Sequence, residues 1–161
     1  MITQEALSAL LSYDAETGVF RWRVARRRIK AGSVAGRLDS SGHVQITVCG
    51  RAYMAHQLAW LYMTGQWPTK RLDHRDGEPD NNRWLNLREA THTQNMQNTR
   101  LRADNKTGHK GVTIERNGKF RVSIKVNGKR EHLGTYSSVE TAAAVYMKAA
   151  KARFGEFARA S

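Results

Sequence analysis

Asp73 and His74 stand side by side, and Asn82, Asn86 and Asn95 follow. A carboxylate is a hard oxygen donor for a divalent cation. An imidazole with a reference pKa near ~6.5 can take a proton from water at neutral pH. Carboxamides about a dozen and about twenty residues on can complete an oxygen-donor site or pin a loop. Cutting a phosphodiester needs an attacking hydroxide, a Lewis acid on the phosphate and help for the leaving 3′ oxygen. These residue types can provide all three. Neighbours on an ideal strand point to opposite faces, so Asp73 and His74 can share a site only at a strand end or an irregularity.

The surrounding elements must hold that set. Residues 55–64 carry Leu58, Leu61 and Tyr62 on one helical face with Met54, and Gly65 and Pro68 stop the helix. Leu72-Asp73-His74 reads as a short strand, 75–79 as a loop, and 80–90 as the lead through a second strand to a helix. Thr91 and Gln94 form a capping box, so that helix starts near His92, with Asn95 in its first turn and Asn98 one turn on. Upstream, 3–12 reads as a helix capped by Thr3, 14–18 as a turn and 19–24 as a strand. The run Arg26-Arg27-Arg28 comes next, and then a hairpin around Cys49-Gly50.

The last third holds Asn117-Gly118 and Asn127-Gly128 between alternating runs, which predicts a three-stranded antiparallel sheet. A two-residue loop at 127–128 pairs Lys125 with Arg130, Ser123 with His132 and Val122 with Leu133. A three-residue loop at 117–119 pairs Ile114 with Val122 and keeps the faces consistent. Thr113, Glu115, Arg121, Ser123, Lys125, Arg130 and His132 then share a polar face. A helix opened by Ser137 and Glu140 and ended by Gly155 covers the apolar face with Ala142, Val145, Tyr146, Ala149 and Ala152 or Arg153.

Charge says where a polyanion would be held. The net charge is +13 over 161 residues. Residues 1–52 contribute +4 (8 basic, 4 acidic), 53–104 contribute +1 (7 and 6), and 105–161 contribute +8 (12 and 4). The segment with the candidate site is near neutral and its flanks are basic, which favours nucleic acid as partner. A single cysteine, Cys49, allows no internal disulfide and no cysteine-framed zinc site, so no structural zinc is expected and the cytoplasm is the natural compartment. No basic leader precedes an apolar run, and no run approaches the roughly 20 residues of a membrane span.

Two resemblances meet in the chain. Residues about 50–100 resemble the HNH endonucleases of the phage and intron-homing type. The matching pieces are 55–60 (AHQLAW), Gly65-x-x-Pro68, 72–77 (LDHRDG), 80–88 (DNNRWLNLR) and Thr91-x-x-x-Asn95-x-x-Asn98. Residues about 105–161 resemble the APETALA2-type DNA-binding domain of plant ethylene-response factors, through Gly111-Val112, 118–120, 127–130, 133–136 and the Ala142-Ala143 to Phe154-Gly155 stretch.

The resemblances imply an α+β chain. A ββα-metal (His-Me finger) nuclease core would lie at about 70–98 within a 1–98 nuclease region that has a β-rich N-terminal extension. A linker at 99–110 would follow, and then a 111–161 domain with a three-stranded sheet packed on one helix. They imply that His74 is the general base, that Asn86 ties the loop so that His74 is oriented, and that Asp73 and Asn95 bind one divalent metal. Asn95 stands where many relatives have His. Two oxygen ligands favour Mg²⁺, with Mn²⁺ as the alternative. His56, Asn82 and Asn98 are supporting residues; His43, His92 and His109 are expected in solvent. Arg83 and Arg88 contact phosphate or brace the metal loop. Duplex DNA would be held by Arg26, Arg27 and Arg28 and by the sheet residues Arg121, Ser123, Lys125, Arg130 and His132.

The expected activity is phosphodiester hydrolysis leaving 5′-phosphate and 3′-hydroxyl ends. A monomer or dimer would act on DNA without membrane or small-molecule cofactor, in the host cytoplasm if phage-encoded. The alternative is an inactive DNA-binding regulator.

Overall fold

The computed structural model describes residues 1–26, 28–99, 101 and 104–159. Arg27, expected at the phosphate backbone, lies outside them. The architecture is α+β and divides into two compact units, Met1–Thr91 and His92–Ser161.

In the first unit, Thr3 caps helix α1 (Gln4–Leu10), its hydroxyl accepting from Ala6 N at 3.3 Å. The helix stops two residues short of its expected end. Leu11–Tyr13 (β1) instead pairs antiparallel with Phe20–Trp22 (β2), so Leu11 enters the core from a strand. The turn between them hangs on Asp14, whose Oδ1 accepts from Glu16 N and Thr17 N. Gly18 closes it with φ +75; a Cβ there would sit 2.5 Å from the backbone of Asn82 and Arg83. The glycine is therefore what lets this turn lie directly on the 80–86 loop. Tyr13 Oη donates to Asn82 O at 2.6 Å, and Trp84 N to Ala15 O at 2.9 Å.

Arg37–Leu38 (β3), Val44–Val48 (β4) and Arg51–Met54 (β5) form a second sheet in that order. The β4–β5 turn puts Cys49 at φ +50 and Gly50 at φ +77. β5 runs without a break into α2 (Ala55–Thr64), and Gly65 ends it in the left-handed conformation. Ala55, Leu58, Ala59 and Leu61 of α2 pack with Leu7, Leu11, Phe20, Trp22, Ile46 and Val48. Each fully buried leucine contributes roughly 1.5–3 kcal/mol, so this cluster anchors the unit. A two-stranded ribbon, Arg71–His74 (β6) with Leu87–Ala90 (β7), completes it.

In the second unit, α3 (His92–Asn98) starts where the capping box predicts. Val112–Ile114 (β8), Phe120–Val126 (β9) and Lys129–Tyr136 (β10) form an antiparallel sheet in the order β10-β9-β8. The β8–β9 loop has three residues, as expected, but they are 116–118. Ile114 pairs with Phe120 and Val112 with Val122, two residues from the expected register. The reason is local: Gly118 N donates to Glu115 O and Gly118 takes φ +77, a type I turn closed by a left-handed glycine. A slip of two preserves the faces.

Across the Asn127-Gly128 turn, Lys125 pairs with Arg130 and Ser123 with His132 as expected. Leu133 is then bulged out, and Val122 pairs with Gly134 instead. Gly134 has φ +124, and a Cβ there would meet the Tyr136 hydroxyl at 2.7 Å and its ring at 2.9 Å. The ring crosses the glycine, and Tyr136 Oη donates to Leu133 O at 2.9 Å.

The covering helix α4 (Val139–Phe154) is capped by Ser138, one residue later than expected, and ended by Gly155. Ala142 and Ala150 are its buried residues, with Val145 and Tyr146 packed beside them. Ala152 and Arg153 are exposed, and Arg153 pairs with Glu131 of β10.

Candidate active site

The β6–β7 ladder stays in register through His74, with Asp73 opposite Arg88 and His74 opposite Leu87. The neighbours therefore leave opposite faces of the ribbon. His74 is also the last residue of β6, and the chain turns there, Gly77 N donating to His74 O at 2.9 Å.

Asp73 is 5% exposed and Arg88 6%. Arg88 grips Asp73 Oδ2 through Nε at 2.9 Å and Nη2 at 2.8 Å. Both contacts converge on one carboxylate oxygen, a charge-assisted pair. Arg83 is exposed.

His74 is buried, and its Nε2 lies 3.2 Å from Asn82 Oδ1. Asn82 Nδ2 donates to Asp80 O at 3.0 Å, which settles which end of that amide is oxygen. His74 therefore carries its proton on Nε2 and its lone pair on Nδ1. Burial pushes its pKa below the usual histidine value; the Asn82 hydrogen bond works against this, and the nearby His43 adds to it. A neutral imidazole at neutral pH is what a base requires.

Asn86 ties the 75–81 loop. Its Nδ2 donates to Asp76 Oδ1 at 2.9 Å and to Asn81 O at 2.7 Å, and its Oδ1 accepts from Asp76 N at 3.1 Å. Burial alone would raise Asp76. The hydrogen bonds from Glu78 N and from the carboxamides of Asn86 and Asn81 win, and hold its carboxyl below the usual range.

Sequence reasoning missed one association. His43, expected in solvent, is half-buried at the start of β4, and its ring lies 5.5 Å from that of His56 and 5.9 Å from that of His74. The His56 and His74 rings are 5.2 Å apart. One ligand atom from each of the three lies within 4.8 Å of the others, so these imidazoles could hold a metal ion. Burial first, then the two neighbouring histidines, push His56 down to about 3. Sequence spacing carried no hint of this, because three separate elements bring the rings together. The Asp39-x-Ser41-x-His43 alternation was the nearest local signal.

Residues 53–97 match the HNH endonuclease family. The matched segment contains Asp73, His74, Asn86 and Asn95. A solved structure titled "DNA binding and cleavage by the HNH homing endonuclease I-HmuI" is similar over 84% of this chain and 76% of that one, with 21% identity and a TM-score of 0.43. Comparison with curated proteins found no match.

The remaining site residues fall as follows. Asn95 is half-buried and Asn98 buried on α3, in the second unit, whereas Asp73 and His74 belong to the first. Arg26 lies 4.4 Å over the Trp22 ring and makes a tight turn with Ile29, while Arg28 is exposed. On the polar face of the C-terminal sheet, Arg121, Lys125, Arg130 and His132 are exposed and Ser123 is half-buried. Arg121 Nε lies 2.7 Å from Glu115 Oε1, which offsets part of that face's charge.

Proposed function

We propose that this chain is a metal-dependent endonuclease of duplex DNA, of the homing or phage type, in which His74 is the base that draws a proton from water. One observation carries the reading. Within the HNH segment, His74 is held by Asn82 in the tautomer that keeps a lone pair on Nδ1, on a loop that Asn86 ties.

Asp73 offers a carboxylate oxygen, a donor suited to a hard ion such as Mg²⁺ or Mn²⁺. When bound, the ion supplies Lewis acidity toward the scissile phosphate and the leaving 3′ oxygen. Arg88 holds the Asp73 carboxylate through one of its oxygens, and burial of His74 lowers its proton affinity to suit work at neutral pH. Hydrolysis leaves 5′-phosphate and 3′-hydroxyl ends. The APETALA2-like sheet of the second unit holds the target through Lys125, Arg130 and their neighbours. One such site per chain cuts one strand, and a second protomer or a second visit completes a double-strand break. The setting is the cytoplasm, that of a bacterial host if the chain is phage-encoded.

The test is a supercoiled plasmid with Mg²⁺, comparing the parent with His74→Ala. Nicked or linear product from the parent and none from the variant is the expected result. If neither cuts and both bind duplex DNA, the chain is a DNA-binding regulator instead.

A further inference from the structure

We propose that His43, His56 and His74 together bind one divalent ion of the zinc class, and that an ion held there takes His74 away from its work as a base. The second half rests on the function proposed above; the first half does not.

Three elements deliver the rings: the start of β4, the first turn of α2 and the end of β6. Their ligand atoms already lie within 4.8 Å of one another. A tetrahedral zinc site, with bonds of roughly 2.0–2.1 Å, needs its nitrogens about 3.3 Å apart. The nitrogens must close by at most about 1.5 Å to reach that geometry, which leaves the fourth position to water.

Two rings are already oriented from outside the cluster. Ser41 Oγ donates to Asp39 Oδ1 at 2.7 Å, so it can only accept from His43 Nδ1, 2.8 Å away. That puts the His43 proton on Nδ1 and the lone pair on Nε2. Asn82 does the corresponding work for His74, leaving the lone pair on Nδ1. Metal-binding imidazoles are usually held this way, by a hydrogen bond at the nitrogen that does not face the ion. The third ring has an unmet need. His56 Nδ1 is buried with no hydrogen-bond partner among the described residues, and such orphans are costly unless something satisfies them. Three neutral nitrogens select zinc, nickel or cobalt over magnesium, which prefers oxygen and sheds its water reluctantly. His43 is only half-buried, which gives an ion a route in.

The full-length protein is titrated with Co²⁺ as the visible probe. One Co²⁺ per chain should give four-coordinate absorption that Zn²⁺ abolishes and millimolar Mg²⁺ does not. His43→Ala and His56→Ala should each weaken binding by about tenfold or more, the scale that losing even an outer partner costs. Asp73→Asn should leave the band unchanged. His43→Asn, with its melting curve, serves as a second variant should alanine perturb folding, and Zn²⁺ should shift the ¹⁵N resonances of three imidazoles in the parent. Stoichiometric Zn²⁺ should suppress Mg²⁺-supported nicking by the parent, and the fold-loss on adding Zn²⁺ should be smaller for His43→Ala, each protein being compared with itself without Zn²⁺. A band indifferent to the histidine substitutions, or lost with Asp73→Asn, overturns the site. Zn²⁺ binding without loss of nicking overturns its effect on His74. A parent that binds Co²⁺ through the three histidines but never cuts DNA overturns the proposed function and leaves the site standing.

Discussion

At the scale of single residues, the Asp73–Arg88 pair is the most exacting feature. A buried ion pair adds little net stability over an apolar pair, but removing one partner strands a charge, at a cost of about 3–5 kcal/mol. Arg88→Ala should lose about that much in urea unfolding. Arg88→Lys should recover only part, because lysine keeps the charge but not the planar guanidinium whose Nε donates to Asp73. The proposed role of His74 makes a separate prediction. A base must be deprotonated to act, and burial holds His74 below the usual histidine pKa, so the acid limb of kcat/KM should have its midpoint below ~6.5. His56 links pH to folding. Its pKa is about 3 when folded and near ~6.5 when unfolded. Between those values the unfolded chain binds the extra proton. The stability from a neutral His56 is therefore complete above ~6.5 and drains away as pH falls toward 3. Melting temperatures across that window should fall less steeply for His56→Leu than for the parent. Asp73, His74 and Asn86 stood out by residue type and spacing. His43 did not, since only the packing of β4 beside α2 and β6 brings it to the other rings.

At the scale of elements, two glycines set close approaches. Gly18 has φ +75 with no room for a Cβ against Asn82 and Arg83, and Gly111 has φ +68 with the Tyr146 ring 2.3 Å from where a Cβ would be. Gly18→Ala should destabilise the first unit by roughly 1–3 kcal/mol or more and reduce nicking, because the displaced backbone carries Asn82. Gly111→Ala should disturb β8 and α4 of the second unit and leave the visible Co²⁺ band intact. A helix start, a helix end and a hairpin turn were legible at Thr3, Gly65 and Asn127-Gly128. The register of β8 was not, because alternation fixes parity alone: a shift of two residues leaves every side chain on its face. The Leu133 bulge was hidden too, since it depends on the Tyr136 ring crossing Gly134.

For the whole molecule, the charge of +13 is carried mainly by the flanks of the HNH segment. Each cation that neutralises a phosphate steepens the logarithmic salt dependence of binding by about 0.9. Replacing Lys125 and Arg130 by alanine in the full chain should lower that slope by up to about 1.8 and weaken binding to all sequences alike. Arg121→Ala should do less than either, because Glu115 already shares its charge. An unchanged slope in filter-binding titrations would remove the sheet from the DNA interface.

The β4–β5 turn has a practical corollary. Cys49 occupies a left-handed backbone position that costs an ordinary side chain roughly 1 kcal/mol, and its thiol is exposed. Asparagine suits that conformation, and Cys49→Asn would create a third Asn-Gly hairpin in the chain. A preparation carrying it should melt higher and stop forming the cross-linked pairs that air oxidation of an exposed thiol produces.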